Sequence, residues 1–174
     1  MVNNTIVSNS CCVEIGETLI LDDVSFSVNK NSLIAVVGPN GGGKTTLFNA
    51  ITGLIPITKG SIEINGQDVS KGNGNIGYVP QNENLNWNFP LTARQVVNLG
   101  ITRNSPSIPF ISKNNDNLIK ECLNDVGLYE QIDNRVDEMS GGQKQRVLLA
   151  KILAQGANIL LLDEAFSGVD IGSQ

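Results

Sequence analysis

The feature that most constrains this chain is a glycine-rich stretch between an apolar run and a helical pattern. The stretch is Gly38-Pro39-Asn40-Gly41-Gly42-Gly43-Lys44-Thr45-Thr46, and it fits the pattern G-x-x-x-x-G-K-[ST]. Residues 33–37 before it are all apolar, as in a parallel strand buried on both faces. Residues 45–52 after it carry Leu47, Phe48 and Ile51 at helical spacing. A strand, a glycine loop and a helix in this order predict a loop that binds phosphate.

The chemistry of such a loop explains why these residue types are needed. Glycines let several backbone N–H groups converge, and the N-terminus of the following helix adds a partial positive charge. Lys44 is expected to reach the β- and γ-phosphates, and the Thr45 hydroxyl to bind Mg²⁺. A chance match in a glycine-rich turn would lack the flanking strand and helix. The sequence therefore predicts a site for a nucleoside triphosphate.

Composition narrows the class of protein. The length of 174 residues suits a single domain, 1–174. The net charge of −5, without a block of Lys or Arg, argues against a nucleic-acid surface. No apolar stretch approaches the roughly 18 residues that span a bilayer, and no signal peptide is evident. For work at a membrane, we expect another chain to do the crossing.

The three cysteines, Cys11, Cys12 and Cys122, favour neither a metal site nor a disulfide framework. Cys11 and Cys12 are adjacent, and no C-x-x-C spacing occurs. We expect all three to behave as small hydrophobic residues.

Two adjacent carboxylates follow a second apolar run. Asp163 and Glu164 come directly after residues 159–162, which predict a buried strand. Ligands of open α/β sheets gather at the carboxyl ends of the strands, and neighbouring strand residues point in different directions. One carboxylate can hold Mg²⁺, usually through water, while the other orients and activates an attacking water. Together with the glycine loop, this pair predicts phosphate chemistry.

A serine and two glycines predict the start of a helix at residue 140. Ser140 and Gln143 have the S-x-x-Q spacing of a capping box, in the segment Met139-Ser140-Gly141-Gly142-Gln143-Lys144-Gln145-Arg146. A helix N-terminus with small residues presents unpaired N–H groups and permits a phosphate to come close. On physical grounds alone, an ordinary capped helix explains the segment equally well.

Residues 139–146 resemble the signature motif of ATP-binding cassette (ABC) proteins, L-S-G-G-Q-x-Q-R, with Met139 in place of leucine. The family's other motifs stand in the family's order: Walker A at 38–45, a Q-loop at Tyr78-Val79-Pro80-Gln81, Walker B at 159–164, and a D-loop at Ser167-Gly168-Val169-Asp170. On these motifs the chain is identified as a member of the ABC family, and the resemblance covers nearly its whole length.

The resemblance implies an α/β fold of the P-loop NTPase (RecA-like) class. An antiparallel β subdomain and a nucleotide-binding core would occupy residues 1 to about 81 and about 141 to 174. A helical subdomain would be inserted from about 82 to 140. The sequence itself predicts helices over 92–99 and 115–126 within that insert. We therefore expect one cassette domain with a helical insert.

The resemblance also implies ATP and Mg²⁺ as cofactors and gives roles to residues. In the family two cassettes face each other head to tail, and the signature of one closes on the nucleotide held by the other. Residues 38–46 would bind phosphate, and Thr45, Gln81 and Asp163 would serve the metal. Glu164 would be the general base, with Lys44 and Gln81 as further catalytic residues.

The signature would act on the nucleotide of the second cassette. Its expected contacts are Ser140, Gly141, Gly142 and Gln143, of which Ser140 and Gly142 would touch the partner's γ-phosphate. Asp170 would link the two sites. Neither site would be complete within one chain.

Further implications of the resemblance concern partners and location. They comprise transmembrane permease subunits, a second ATP-binding subunit in a homodimer, and an extracytoplasmic solute-binding protein, with no nucleic acid. The chain would lie peripherally on the cytoplasmic face of the cell membrane. Residues 76–81, with Trp87-Asn88-Phe89-Pro90-Leu91-Thr92, are similar to manganese/zinc/iron uptake cassettes, although Asn88 replaces an acid. Trp87 either contacts a membrane subunit's helix or packs in the helical subdomain, whereas burial is expected for Phe89.

Several positions depart from the family's pattern. An aromatic residue usually stacks on adenine ahead of the strand at 23–28, and Ile15 stands there. Losing a ring stack weakens binding by about 1–3 kcal/mol, so we expect Ile15→Tyr to tighten ATP binding. Ala165 replaces a proline after the Walker B glutamate, which is a minor change.

The third departure is larger, because the chain contains no histidine and its last residue is Gln174. Family members continue to a strand that carries a switch histidine for the γ-phosphate. Without that strand, we expect the runs at 33–37 and 159–162 to have unpaired edges in the sheet centre. The expectation is a fragment of a longer protein, or a truncated product with impaired hydrolysis.

Three functions compete at this point. The first is the ATPase subunit of a metal-ion importer. The second is a soluble ABC ATPase of translation, repair or chromosome maintenance, which the single cassette, the absent coiled coil and the acidic charge disfavour. The third is a scaffold that binds ATP but hardly hydrolyses it, which only the missing histidine favours. A GTPase is disfavoured because no N-K-x-D motif occurs.

Overall fold

The computed structural model describes residues 4–71, 76–80, 87, 90–101 and 113–163. The chain divides into two compact units, residues 1–74 and residues 75–174. The first unit holds an antiparallel sheet, the phosphate loop (residues 38–45) and a helix, and the second holds a pair of parallel strands and a group of helices. The expected arrangement of one domain with an insert over 82–140 stays a prediction.

The first unit is built on an antiparallel sheet of four strands. Its elements are β1 (Asn4–Ile15), β2 (Thr18–Asn29), α1 (Lys44–Ile51), β3 (Lys59–Ile64) and β4 (Gln67–Asp68). The sheet has the order β2-β1-β3-β4, and each neighbouring pair is antiparallel. Two-residue turns join β1 to β2 and β3 to β4; Gly16, Asn65 and Gly66 take positive φ angles there, as hairpin turns require. Short turns thus form two of the three strand pairs, whereas β1 and β3 pair across β2, the phosphate loop and α1.

The expectation of a buried strand at 33–37 is wrong for the described structure. Residues 32–39 form no regular element, Leu33 is fully exposed, and Val37 is 87% exposed. A buried parallel strand needs a hydrogen-bonded neighbour and cover on its faces. The described residues provide neither to this run, so its apolar composition does not bury it.

The second unit has a helical core. Its elements are β5 (Ile76–Val79), α2 (Ala93–Ile101), α3 (Lys113–Asp125), α4 (Gly141–Ala154) and β6 (Ile159–Leu162). The helices α2 and α3 confirm the two predicted within 82–140. The helical core comprises Ala93, Val96, Val97, Ile119, Cys122, Leu123, Val126, Leu128, Val136, Met139, Val147, Ala150 and Ala154. Trp87 packs against this core, which favours the packing alternative for that residue.

The strand predicted at 159–162 is confirmed as β6, but its expected burial holds only in part, since Leu161 is buried whereas Leu160 is 40% exposed. It pairs in parallel with β5, with Ile76 opposite Ile159 and Val79 opposite Leu162. Helix α4 covers one face, where Val79 and Ile152 are buried together. A Cβ at Gly77 would lie 2.0 Å from Ile152 Cγ2, so only glycine fits between the strand and the helix. The distance between β5 and α4 is therefore set by this contact.

Candidate functional site

The phosphate loop takes the conformation that its glycines permit. Gly41 and Gly43 have φ angles of +77° and +83°, which L side chains rarely adopt. The Gly42 N–H donates to Pro39 O at 3.1 Å, and a Cβ at Gly42 would lie 3.0 Å from that oxygen. The loop is thus a tight turn that leads directly into α1.

The N-terminus of α1 has no acidic or capping side chain. Gly43 is its N-cap residue and makes no side-chain hydrogen bond, and the first turn contains no Asp or Glu. The partial positive charge of the first N–H groups is therefore not offset by the helix's own side chains. An anion is the group that such an end favours.

Lys44 places a cation on the same turn. Its Nζ donates to Gly38 O at 3.0 Å and to Pro39 O at 2.9 Å. The ammonium group is thus held against the loop backbone, and the Thr45 hydroxyl lies on the next residue, which is exposed. Glycine backbone, helix end, ammonium and hydroxyl are the donor set that a triphosphate with its magnesium ion needs.

In the second unit, Asp163 follows β6 and is only 3% exposed. Its N–H donates to Val79 O at 2.9 Å, which extends the ladder between β5 and β6 by one residue. The Tyr78 hydroxyl donates to Asp163 Oδ2 over 3.4 Å. Burial, together with the nearby carboxylate of Asp163, raises the pKa of Tyr78 to about 12. The phenol therefore keeps its proton at neutral pH and acts as a donor.

The predicted capping box at the start of α4 is confirmed. Ser140 Oγ accepts from the Gln143 N–H at 3.3 Å, and Gln143 Oε1 accepts from the Ser140 N–H at 2.9 Å. Ser140 and Gly141 are exposed, whereas Met139 is only 7% exposed and belongs to the helical core. The methionine that replaces the motif's leucine is therefore a buried anchor, and the serine and the first glycine face solvent.

A side chain from the first turn of α4 extends to the segment before α2. Lys144 Nζ lies 6.0 Å from the centre of the Trp87 ring and donates to Asp137 O at 3.3 Å. A lysine at this distance from an indole face makes a weak cation–π interaction. This contact links Trp87 to the signature segment, residues 139–146.

Several expected site residues lie outside the described residues. They are Gln81, Glu164 and Asp170, together with Phe89 from the segment that resembles metal-uptake cassettes. Their roles remain predictions. Ile15 is described, ends β1 and is 55% exposed, so its side chain is accessible to a ligand.

The cysteines agree with the expectation of small hydrophobic residues. All three are free thiols, and Cys11 and Cys122 are buried. Burial is the main cause that raises the pKa of both thiols, which keeps them neutral. Within the described parts of the chain, no group of three or more His, Cys, Asp or Glu side chains is placed to hold a metal ion. Over the same parts, the helices lack the length and apolar character that a membrane span requires.

Comparison with known proteins gives the family. The model of the family described as "ABC transporter" matches residues 21–167. The chain belongs to the ABC transporter family. The matched range contains the phosphate loop, the signature segment and Asp163.

Relatives of this ABC chain include two named metal-transport proteins. It is 38% identical over 155 residues to the manganese transport system ATP-binding protein MntB of Bacillus subtilis, covering 89% of this chain and 62% of that protein. It is 37% identical over 155 residues to the zinc transport system ATP-binding protein TroB of Treponema pallidum, covering 89% and 58%. The chain thus spans about three fifths of the length of these relatives.

The ABC cassette fold is also found in solved structures. An ATP-binding cassette of an ABC transporter in its ADP conformation superimposes with a TM-score of 0.83 at 24% identity, covering 96% of this chain and 71% of that one. This likeness confirms the expected fold class.

Tyr78 is the residue near the site that the sequence pattern did not single out. In the sequence it is only the first residue of the segment 78–81. Tyr78 lies in β5, next to β6, and residues on one face of neighbouring strands can meet diagonally. This placement could have indicated a contact with Asp163. That inference needs the register between β5 and β6, which the pattern does not supply.

Proposed function

We propose that this chain is the ATP-binding and ATP-hydrolysing subunit of an ABC transporter. The observation that carries the proposal is the phosphate loop. Lys44, the first residue of α1, donates through its Nζ to two loop carbonyls, and this end of the helix has no capping side chain. Loop amides and Lys44 would bind the phosphates of ATP, and Thr46 and the remaining loop residues would complete the cradle.

A magnesium ion bound with the nucleotide would be held by the Thr45 hydroxyl, the Asp163 carboxylate and the Gln81 amide oxygen. Oxygen atoms of these kinds are the ligands that Mg²⁺ prefers. When bound, Mg²⁺ offsets the negative charge on the phosphates. Asp163 is buried, and its backbone N–H is bonded to β5, so its main chain has a fixed position beside that strand.

Hydrolysis is assigned to residues next to the metal ligands. Glu164 would accept a proton from the attacking water, and Lys44 would balance charge that develops on the phosphates. Ser140, Gly141, Gly142 and Gln143 would bind the γ-phosphate of a second copy's nucleotide through the capped start of α4. The active form would then be a head-to-tail pair of cassettes.

The transported substrate is proposed from the relatives. Three relatives are named as manganese, zinc and chelated iron transport system proteins, which favours import of a divalent metal ion. Permease subunits and an extracytoplasmic solute-binding protein would complete the system, with this chain peripheral on the cytoplasmic face of the membrane. One relative is a cobalamin import protein at 38% identity, so a metal-containing cofactor is the second candidate cargo.

Steady-state phosphate release tests the enzymatic part of the proposal. Replacing Glu164 by Gln removes the general base while keeping its shape, and we expect release to fall by about 100-fold or more. Glu130→Gln is the matched control, because Glu130 is exposed in the second unit and should leave the rate unchanged. ATP binding without phosphate release from the wild-type chain would contradict the proposal in favour of a scaffold.

Co-purification tests the transport part. We expect the chain to be recovered with a multi-helix membrane subunit when both are produced together. Recovery of an active ATPase that never associates with such a subunit would contradict the transporter assignment and favour a soluble ABC ATPase.

A further inference from the structure

The register between β5 and β6 brings the Tyr78 side chain next to Asp163. Tyr78 pairs with Leu161 in the register between β5 and β6. Side chains alternate along a strand, so Tyr78, Leu161 and Asp163 share one face of the strand pair. Asp163 is then the diagonal neighbour of Tyr78, within reach of an aromatic side chain. The contact of 3.4 Å between Tyr78 Oη and Asp163 Oδ2 agrees with this register.

The opposite face explains why the tyrosine is held in this position. Gly77 lies against Ile152 of α4, and Val79 is buried in the same small cluster. The strand β5 therefore cannot move towards α4 without a clash. The Asp163 N–H is bonded to Val79 O at 2.9 Å, so both the main chain and the side chain of Asp163 contact β5.

A buried carboxylate needs partners, since an unpaired charge away from water is costly. Asp163 is 3% exposed, and among the described residues the Tyr78 hydroxyl donates a hydrogen bond to its carboxylate. Hydrogen bonds from neighbouring groups commonly orient the ligands of a metal ion. The distance of 3.4 Å is longer than that of an ordinary O–H···O bond, so this is a weak hydrogen bond.

We propose that Tyr78 is a positioning residue that orients the Asp163 carboxylate for the magnesium ion of bound ATP. This inference rests on the proposed function, because it takes Asp163 as a metal ligand. Tyr78 acts through Asp163 and does not touch nucleotide or metal. Its single oxygen atom is the part that matters, and the ring serves as the spacer that carries the oxygen from β5 to Asp163.

The test is the variant Tyr78→Phe, which removes the hydroxyl and keeps the ring. ATP affinity is measured by titration calorimetry, once with Mg²⁺ and once with EDTA. We expect the Kd with Mg²⁺ to rise by about tenfold, the lower end of the effect of losing a partner of a metal ligand, and the Kd with EDTA to stay unchanged. Tyr129→Phe is the matched control, because Tyr129 is exposed in the same unit and should change neither value.

A double-variant cycle separates positioning from packing. In an Asp163→Asn background, Tyr78→Phe should add no further loss, because the carboxylate it orients is gone. Equal losses with Mg²⁺ and with EDTA, or an undiminished effect in that background, would show that Tyr78 only packs and would overturn the inference. An unchanged Kd would overturn it too.

The outcome also distinguishes this inference from the proposed function. A wild-type chain that binds no ATP would overturn both. A wild-type chain that binds ATP more tightly with Mg²⁺, together with a Tyr78→Phe variant that behaves identically, would overturn the role of Tyr78 and leave the proposed function standing.

Discussion

Two wholly apolar runs precede the two segments that we assign to phosphate chemistry, and they have different surroundings. Residues 159–162 form β6, pair with β5, and bury Leu161 to 8% exposure. Residues 33–37 form no strand, and Leu33 and Val37 are largely exposed. Residues 33–37 contain more β-branched residues than residues 159–162, so strand propensity does not explain the difference, which comes from the neighbours that each run finds.

The comparison shows what an apolar run can predict. Such a run indicates that burial is favourable, but a strand also needs a partner for its backbone groups. For β6 that partner is distant in sequence, since Tyr78 and Asp163 are 85 residues apart. For residues 33–37 the described residues supply no hydrogen-bonded neighbour. The prediction of a strand was therefore correct for one run and wrong for the other.

The largest difference should appear when the two runs lose the same kind of side-chain volume. Leu161→Ala removes buried methyl groups and should lower the free energy of unfolding by about 2–5 kcal/mol. Leu33→Ala removes the same atoms from a fully exposed side chain and should alter it by less than about 0.5 kcal/mol. Urea unfolding followed by circular dichroism measures both. Similar losses from the two variants would show that residues 33–37 are buried and would break the comparison.

A smaller effect is expected from the contact that fixes β5 beneath α4. Gly77→Ala places a methyl group against Ile152, and the resulting overpacking should cost about 1–3 kcal/mol. Gly38→Ala is the matched control for stability, because nothing lies within 4 Å of its added Cβ. Thermal melting of the two variants checks this. If Gly77→Ala melts like the wild type, β5 is not held by α4 as described.

The cap of α4 should contribute less than the buried strand. Ser140→Ala removes one half of the capping box and should lower stability by about 1 kcal/mol. Ser140→Asn keeps a capping oxygen and should recover most of that loss. Chemical unfolding measures both variants. A loss as large as that of Leu161→Ala would mean that Ser140 makes contacts beyond the cap.

The smallest effect should come from the charged cluster around Arg94. Asp116 and Asp133 both contact its guanidinium. The pKa of Asp116 is lowered mainly by a hydrogen bond from Lys120, and the pKa of Asp133 mainly by one from Arg94. A lowered folded-state pKa gives stability that is present above the unfolded pKa and is lost as pH falls through the folded pKa. At pH values below about 4 we expect the melting temperature of the wild type to decrease, and that of Asp116→Asn to decrease less. An identical pH profile for this variant would contradict a role for the cluster.

How much of the molecule the sequence predicts depends on whether a feature is local. The helix after the phosphate loop and the cap formed by Ser140 and Gln143 are predicted correctly, because each follows from neighbouring residues. The strand at 159–162 is also predicted correctly, but it forms only because β5 supplies a partner. The contact of Tyr78 with Asp163 and that of Lys144 with Trp87 are not predicted, because each joins separate elements. The sequence left Trp87 open between docking and packing, and only its contacts with the helical core favour packing.

The central claim is that the phosphate loop binds the triphosphate of ATP through its backbone and Lys44. Titration calorimetry of the wild-type chain, Lys44→Ala and the control Lys30→Ala tests it most directly, since Lys30 is exposed outside the loop. We predict that Lys44→Ala raises the Kd for ATP by at least about tenfold, the smallest effect expected from losing a charged hydrogen-bond donor, while Lys30→Ala leaves it unchanged. Equal affinity in all three proteins would contradict the account.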